Sequence, residues 1–288
     1  MKIKYVGIAR ICLLALLVLS LVFTGCATKA PQTPEGTQPP VSPLMPAPTE
    51  KAALYFAGDQ AMYLEPEFRE VKTGGNLPQT IVEELVKGPA EQGHFPTLPK
   101  TTRVLSLEVQ QGIAYVNLSG DFERDYPGGT TGEAMALGSV IRSLTELENI
   151  NAVQFLIEGK KVDVLAKGHV ELNRPLERRI TLGAVEQVGE MLESDQKKVS
   201  EGGLKWRLDP LETARKEGPR WGLFAKGDYT LVSKVEQGAY SGTGEALVRH
   251  RYKGYSFDIK LIQPVKTGTG GIWAINGIYP YGTEASKT

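Results

Sequence analysis

Cysteine is almost missing from this chain of 288 residues, which holds only Cys12 and Cys26. Everything after Cys26 is free of thiols, so neither a disulfide nor thiolate chemistry is available to it. Histidine is also scarce: His94, His169 and His250 are dispersed and stand at no ligand spacing, so no metal site and no cofactor are expected. Beyond Phe23 no apolar run approaches the length of a membrane span, which excludes a polytopic membrane protein. Net charge is missing too, with 33 Lys and Arg against 33 Asp and Glu, and no nucleic acid is expected as a partner.

What is present begins at the N-terminus. A basic start (Lys2, Lys4, Arg10) precedes an apolar stretch from Ile11 to Phe23, then Phe23-Thr24-Gly25-Cys26. The stretch is too short to span a hydrocarbon core, and small residues followed by a polar tail come at once. This reads as a bacterial lipoprotein signal, residues 1–25, cut before Cys26, although Phe23 stands where such signals usually carry Leu. The expectation is a diacylglyceryl group on Cys26 and a protein held by membrane lipid on the outer face of the cytoplasmic membrane. Each buried methylene contributes about 0.8 kcal/mol, so two or three chains anchor stably. Residues 26–50, rich in Pro, Thr and Ala, read as a tether that cannot build a core.

The zero net charge hides two halves of opposite sign. Residues 51–176 carry 12 Lys and Arg against 17 Asp and Glu, whereas residues 204–288 carry 13 against 8. Between them residues 177–203 read as a polar linker with a short helix near Ala184 to Leu192. Three readings of the asymmetry stay open: the halves dock on each other, the basic half faces anionic lipid or a cell-wall polymer, or the charge is simply solvated.

In the acidic half, the apolar run Ala52 to Phe56 predicts a strand, and after a turn at Gly58-Asp59 the segment Ala61 to Leu64, Pro66 and Phe68 to Val71 reads as a second short extended piece. Pro78 opens a helix carrying Ile81, Val82, Leu85 and Val86, closed by Gly88-Pro89. Arg103 to Val109 and Ile113 to Leu118 alternate as a hairpin about Gln111-Gly112. Thr130 and Glu133 fit a capping box for a helix with Leu137, Val140, Ile141, Leu144 and Leu147 inward and Arg142, Glu146 and Glu148 toward water. Val153 to Ile157 predicts a strand, with Lys161 to Leu165 as its hairpin partner. In the basic half Asp209 caps a helix from Pro210, and strands follow at Tyr229 to Glu236, Glu245 to Tyr252, Tyr255 to Gln263 and Ile272 to Ile278. The fold class is α+β: a two-layer domain, then a second small α+β domain with a curved antiparallel sheet.

Candidate sites are few. Gly128-Gly129-Thr130-Thr131-Gly132 lacks the Lys of a phosphate-binding loop and reads as a helix start. Ser194-Asp195-Gln196-Lys197 and Lys266-Thr267-Gly268 look like fragments of a penicillin-binding serine site, but the spacing is far too short for that fold. Asp121, Glu123 and Asp125 alternate without completing a calcium loop. The basic half concentrates aromatic residues, among them Trp206, Trp221, Trp273 and Tyr240. Around a turn at Lys253-Gly254, the residues Arg249, Arg251, Tyr252, Lys253 and Tyr255 form a candidate basic and aromatic patch for a partner protein or glycan.

One resemblance orders these pieces. Leu54-Tyr55-Phe56, Tyr63-Leu64-Glu65-Pro66-Glu67, Glu83-Glu84-Leu85-Val86-Lys87-Gly88-Pro89, Pro96-Thr97-Leu98-Pro99, Gly112-Ile113-Ala114-Tyr115-Val116-Asn117-Leu118, Ser139 to Glu146 and Val153 to Lys160 follow one another as they do in the GerM or Germane (GerMN) domain of spore-forming bacteria. Residues 51–176 therefore resemble that family. The resemblance implies a small α+β fold similar to ring-building modules of sporulation and secretion complexes, exported, often on lipoproteins, and associating with proteins without catalysis. The best-known members carry two copies in tandem; here one copy precedes an unrelated half, residues 204–288. The expectation is a lipid-anchored, non-catalytic assembly module at the cell envelope, linked to sporulation or germination. The alternative is a protein acting on or binding the cell wall, through the carboxylates of Asp121 to Asp125 or the basic turn from Arg249 to Tyr255.

Overall fold

A computed structural model describes residues 48–58, 62–126, 128–165, 168–237 and 242–281. The leader, Cys26, Tyr240 and nearly all of the tether lie outside them. Strand β1 (Thr49–Ala57) pairs antiparallel with β2 (Leu64–Lys72). From Ala52 onward β1 is buried on both faces: Leu54 and Phe56 enter one core, while Ala53 and Tyr55 enter a separate cluster with Leu64, Met135 and Ala225. That two-sided burial is why the segment is a continuous apolar run and not an alternating one.

Helix α1 (Leu77–Lys87) starts at Asn76, whose side chain accepts from Gln79 N, and stops at Gly88. Strands β3 (Val104–Gln110) and β4 (Ile113–Leu118) form the expected hairpin. A short helix α2 (Asp121–Asp125) and the long α3 (Thr130–Thr145) then carry the chain over the sheet to β5 (Ala152–Ile157), which runs parallel to β4. Ile81, Leu85, Val116, Phe122, Val140 and Phe155 fill the space between helices and sheet.

Two expectations fail here. Glu133 does not reach back to cap α3, whose N-cap is Gly129; its buried carboxylate accepts from His169 N (2.8 Å) and Val170 N (3.1 Å), backbone donors that would otherwise lack a partner. Lys161 to Leu165 forms no strand. After a bridge from Ile157 to Lys160 the chain turns over the core to bury Leu165 and Leu172, and β6 (Leu176–Glu177) pairs with β5 instead, giving the order β3-β4-β5-β6.

Residues 177–203, read from sequence as a polar linker, are packed. They supply β7 (Gly183–Ala184) to the second sheet and helix α4 (Gly189–Ser200), which buries Leu192 and Val199 against Ile272 and Ala274. The helix starts later than expected, at Gly189 behind the N-cap Val188 with no side-chain cap, because its register follows this seven-residue apolar spacing. Helix α5 (Pro210–Glu217) is capped by Asp209, which accepts from Leu211 N and Glu212 N. Strands β8 (Asp228–Val235), β9 (Glu245–Tyr252), β10 (Tyr255–Ile262) and β11 (Ala274–Pro280) complete an antiparallel sheet ordered β7-β11-β10-β9-β8 around Trp273, Val248, Ile259 and Ile275. Both sheets lie within one compact unit. No helix among the described residues is long and apolar enough to cross a membrane.

Candidate interaction surface

The two halves meet at the C-terminal end of α3. Glu146 is 1 % exposed and accepts from Tyr55 Oη (2.6 Å), Arg178 Nη2 (3.0 Å), Ala225 N (2.8 Å) and Lys226 N (3.0 Å). Arg178 also donates to Gly222 O, Leu223 O and Arg142 O, and lies over the rings of Phe224 and Tyr55. Burial alone would favour a neutral guanidine, but Tyr55 and Glu146 outweigh it and hold Arg178 charged. Burial pushes the Tyr55 hydroxyl upward. Tyr252 Oη donates to Glu146 O, and Lys253 Nζ donates to Thr145 O, Leu147 O and Ile150 O, placing a cation on the carbonyl end of α3. Arg142 and Glu146, expected at the water-facing side, are thus drawn inward because the basic half covers that side of the helix.

A second chain of charges crosses the same seam. Arg207 bridges Asp195 (2.9 Å) and Glu217 (2.6 Å); Arg220 continues from Glu217 (3.4 Å) to Glu65 (3.0 Å) in the acidic half. Burial pushes Glu217 upward. Close approach at the seam also explains a glycine. Gly222 has φ +97°, and a β-carbon there would sit 2.1 Å from Arg179 O, so Gly222→Ala is expected to cost at least about 2 kcal/mol, read as a lower urea midpoint.

Beside the seam lies a cleft of about 580 Å³. Its apolar lining comes from Met62, Leu64, Met135, Ile141 and Val170. Arg142, Arg174, Arg178, Arg179 and Arg220 also line it, against a single acidic residue, Glu177. Arg142 donates from Nη1 to Pro219 O (2.8 Å) and Arg220 O (3.3 Å). Burial, and then the neighbouring Arg178, depress its pKa to about 10. Among the described residues no carboxylate lies within ion-pair distance of Arg142 or Arg179.

The basic and aromatic patch read from sequence is divided by the fold. Arg249 makes a two-pronged ion pair with Asp258 (2.7 and 3.2 Å) and lies over Tyr281. Tyr252 and Lys253 belong to the seam. Lys253 (φ +52°) and Gly254 (φ +79°) make the two-residue hairpin turn that aims the lysine there. Tyr255 is 50 % exposed, with its ring stacked on Phe224 and Phe257, and Arg251 lines a groove of about 900 Å³ with Glu65, His94 and Trp206.

The other candidates resolve locally. Asp121 pairs with Arg124 and Ser119, which hold its carboxyl below the usual range, while Asp125 accepts from Thr101 and Arg124. Among the described residues no group of three or more His, Cys, Asp or Glu could hold a metal. Ser194 and Lys197 are exposed on α4; the adjacent Gln196 binds the loop that follows Lys266-Thr267-Gly268 through Gly270 O and Ile272 N. Trp273 is core, whereas Trp206 and Trp221 are half-buried. Sequence reasoning passed over Glu146, Arg178 and the arginine cleft, although Arg174-Pro175-Leu176-Glu177-Arg178-Arg179 is a visible basic cluster.

Comparison with known proteins agrees with the ordered strands and helices of the first half. Residues 53–163 match the family model Germane, described as sporulation and spore germination. The tandem GerMN domains of the sporulation protein GerM from Bacillus subtilis are 20 % identical, with a TM-score of 0.41 over 49 % of this chain and 52 % of that one. The chain thus spans about half the length of that structure. The first GerMN domain of the same protein is 21 % identical over 45 % of this chain and 98 % of that one, with a TM-score of 0.40. A "putative lipoprotein" from Clostridium perfringens is 27 % identical over 45 % of this chain and 88 % of that one, with a TM-score of 0.33. No curated protein matches. Residues 53–163 of this chain are accordingly similar to the Germane family, described as sporulation and spore germination.

Proposed function

We propose that this protein is a lipid-anchored, extracytoplasmic assembly module, in which the Germane domain and the basic half present one continuous surface to protein partners at the cell envelope. The observation that carries the reading is the Germane match itself, joined to a second half through the buried Glu146 carboxylate, which accepts from Ala225 N and Lys226 N. A buried carboxylate that takes donors from across the seam fixes geometry, because separating the halves would strip Glu146 of the Ala225 and Lys226 N–H groups. The acylated Cys26 is the anchor, residues 26–50 the tether, and the outer face of the cytoplasmic membrane the location. The chain acts without catalysis. The carboxylates of Asp121 and Asp125 are engaged by Arg124, Ser119 and Thr101, which suits a structural role better than proton transfer.

Cys26→Ala is expected to move the protein from the membrane fraction to the soluble fraction. Retention in the membrane with an intact N-terminus would point to an uncleaved anchor. Crosslinking of the native membrane-bound protein followed by mass spectrometry should recover envelope proteins bound to residues of the folded unit. Release of soluble fragments from peptidoglycan by the purified chain, abolished by Asp121→Asn, would replace this reading with a wall-acting enzyme.

A further inference from the structure

The arginine cleft beside the seam is built for a ligand of a particular kind. Its floor is apolar and rich in methionine, a side chain that adapts to varied apolar shapes. Its cations are unevenly neutralised. Arg178 is matched by Glu146, and Arg220 by Glu65 and Glu217. Arg174 has only a long, exposed contact with Glu171 (3.9 Å), and such pairs contribute little. Arg142 and Arg179 have no carboxylate partner among the described residues. Arg142 is the telling case, for it is half-buried beside another guanidinium, and among the described residues its hydrogen bonds run from Nη1 to two carbonyls. A cation in that setting is costly without a counter-charge.

We infer that this cleft binds a short acidic peptide segment of a partner protein, with a carboxylate on Arg142 and Arg179 and a neighbouring large apolar side chain on the Met62, Met135 and Ile141 floor. The guanidinium fork matches a carboxylate in two-pronged geometry, which a lysine could not provide. The volume of about 580 Å³ accommodates a few side chains and falls within the range of ligand clefts. An apolar floor under a cationic rim favours a carboxylate borne on an apolar body over inorganic phosphate. A free fatty acid shares that chemistry, and the assembly reading above, on which this inference rests, selects the peptide.

The test uses the chain from residue 46, the start of the compact unit. Fluorescent hexapeptides combining Glu with Leu and Phe would be titrated against it, beside the same peptides with Gln for Glu, and beside laurate. The expected result is saturable binding of the acidic peptides and at least tenfold weaker binding of the Gln forms. The double variant Arg174→Gln with Arg179→Gln, both exposed and expected to leave the melting temperature unchanged, should weaken binding at least tenfold; Met62→Asp should do the same. Equal binding of Glu and Gln peptides, indifference to the arginine variants, or binding of laurate without peptide would each overturn the inference. Envelope neighbours crosslinked in cells equally well by wild type and by the Arg174 and Arg179 variant would refute this cleft while leaving the assembly function standing.

Discussion

Glu146→Ala is expected to destabilise the folded unit by about 3–5 kcal/mol, the range for breaking a buried ion pair by removing one partner. Four donors converge on this carboxylate, and it is 1 % exposed. Removing it leaves the Arg178 guanidinium buried without its anion and strands the backbone N–H groups of Ala225 and Lys226 away from water. Each unsatisfied donor adds a desolvation cost on the order of 1–3 kcal/mol, although relaxation of the 222–227 segment will recover part of the sum. Urea unfolding should show the drop as a lower midpoint. Because the carboxylate lies on the seam, limited proteolysis should at the same time gain cleavage between the halves. A loss under about 1 kcal/mol, with unchanged proteolysis, would show that apolar contact alone joins them.

Acid should weaken the fold through His250. This ring is fully buried, packed with Tyr229, Phe224 and Phe257, and burial, then the nearby Arg178, lowers its pKa from 6.5 to about 4. The native state therefore keeps the imidazole neutral in a range where the unfolded chain takes up a proton. Stability from this group is complete above pH 6.5, falls as the pH drops from 6.5 to about 4, and levels below that. The difference in pKa corresponds to about 3 kcal/mol at the bottom of the window. Carboxylates held low in the native state, such as Glu67 and Asp121, lose their contribution at the acid end as well. The comparison that isolates the ring is His250→Phe, which keeps the stacked cluster. Its stability should change less between pH 6.5 and pH 4 than that of wild type. Parallel pH profiles for the two would mean that His250 takes up its proton in the native state as readily as in the unfolded chain.

Much of the first half is legible along the chain because its signals are local. Pro78 before an apolar face, and Gly88-Pro89 after it, mark α1 at both ends, while the Asn76 cap went unread. Gln111-Gly112 with alternating flanks marks the β3–β4 hairpin, and the ordered set of such pieces carries the family resemblance. Asp209-Pro210 works in the same way for α5. The errors have a common cause. Thr130 and Glu133 look like a capping box, yet distant backbone donors at His169 and Val170 claim the carboxylate. Lys161 to Leu165 looks like a strand, yet the core takes Leu165 and Leu172 while a two-residue strand pairs with β5. In each case a demand made from far along the chain overrides a weak local preference.

By itself the sequence determined the thiol-free composition of everything after Cys26, the positions of most strands and helices, and the resemblance of residues 53–163 to the Germane family. The elements follow from periodicity, capping and turn chemistry, which act over a few residues, and the resemblance from the order of the motifs along the chain. The tertiary structure alone decided that Arg142 and Glu146 turn inward, that Lys253 caps α3, that Arg249 is neutralised by Asp258, and that an arginine cleft opens beside the seam. A charged side chain has no intrinsic preference between water and a buried partner. That choice is made only when an oppositely charged or hydrogen-bonding group from elsewhere in the chain is brought within about 3 Å of it.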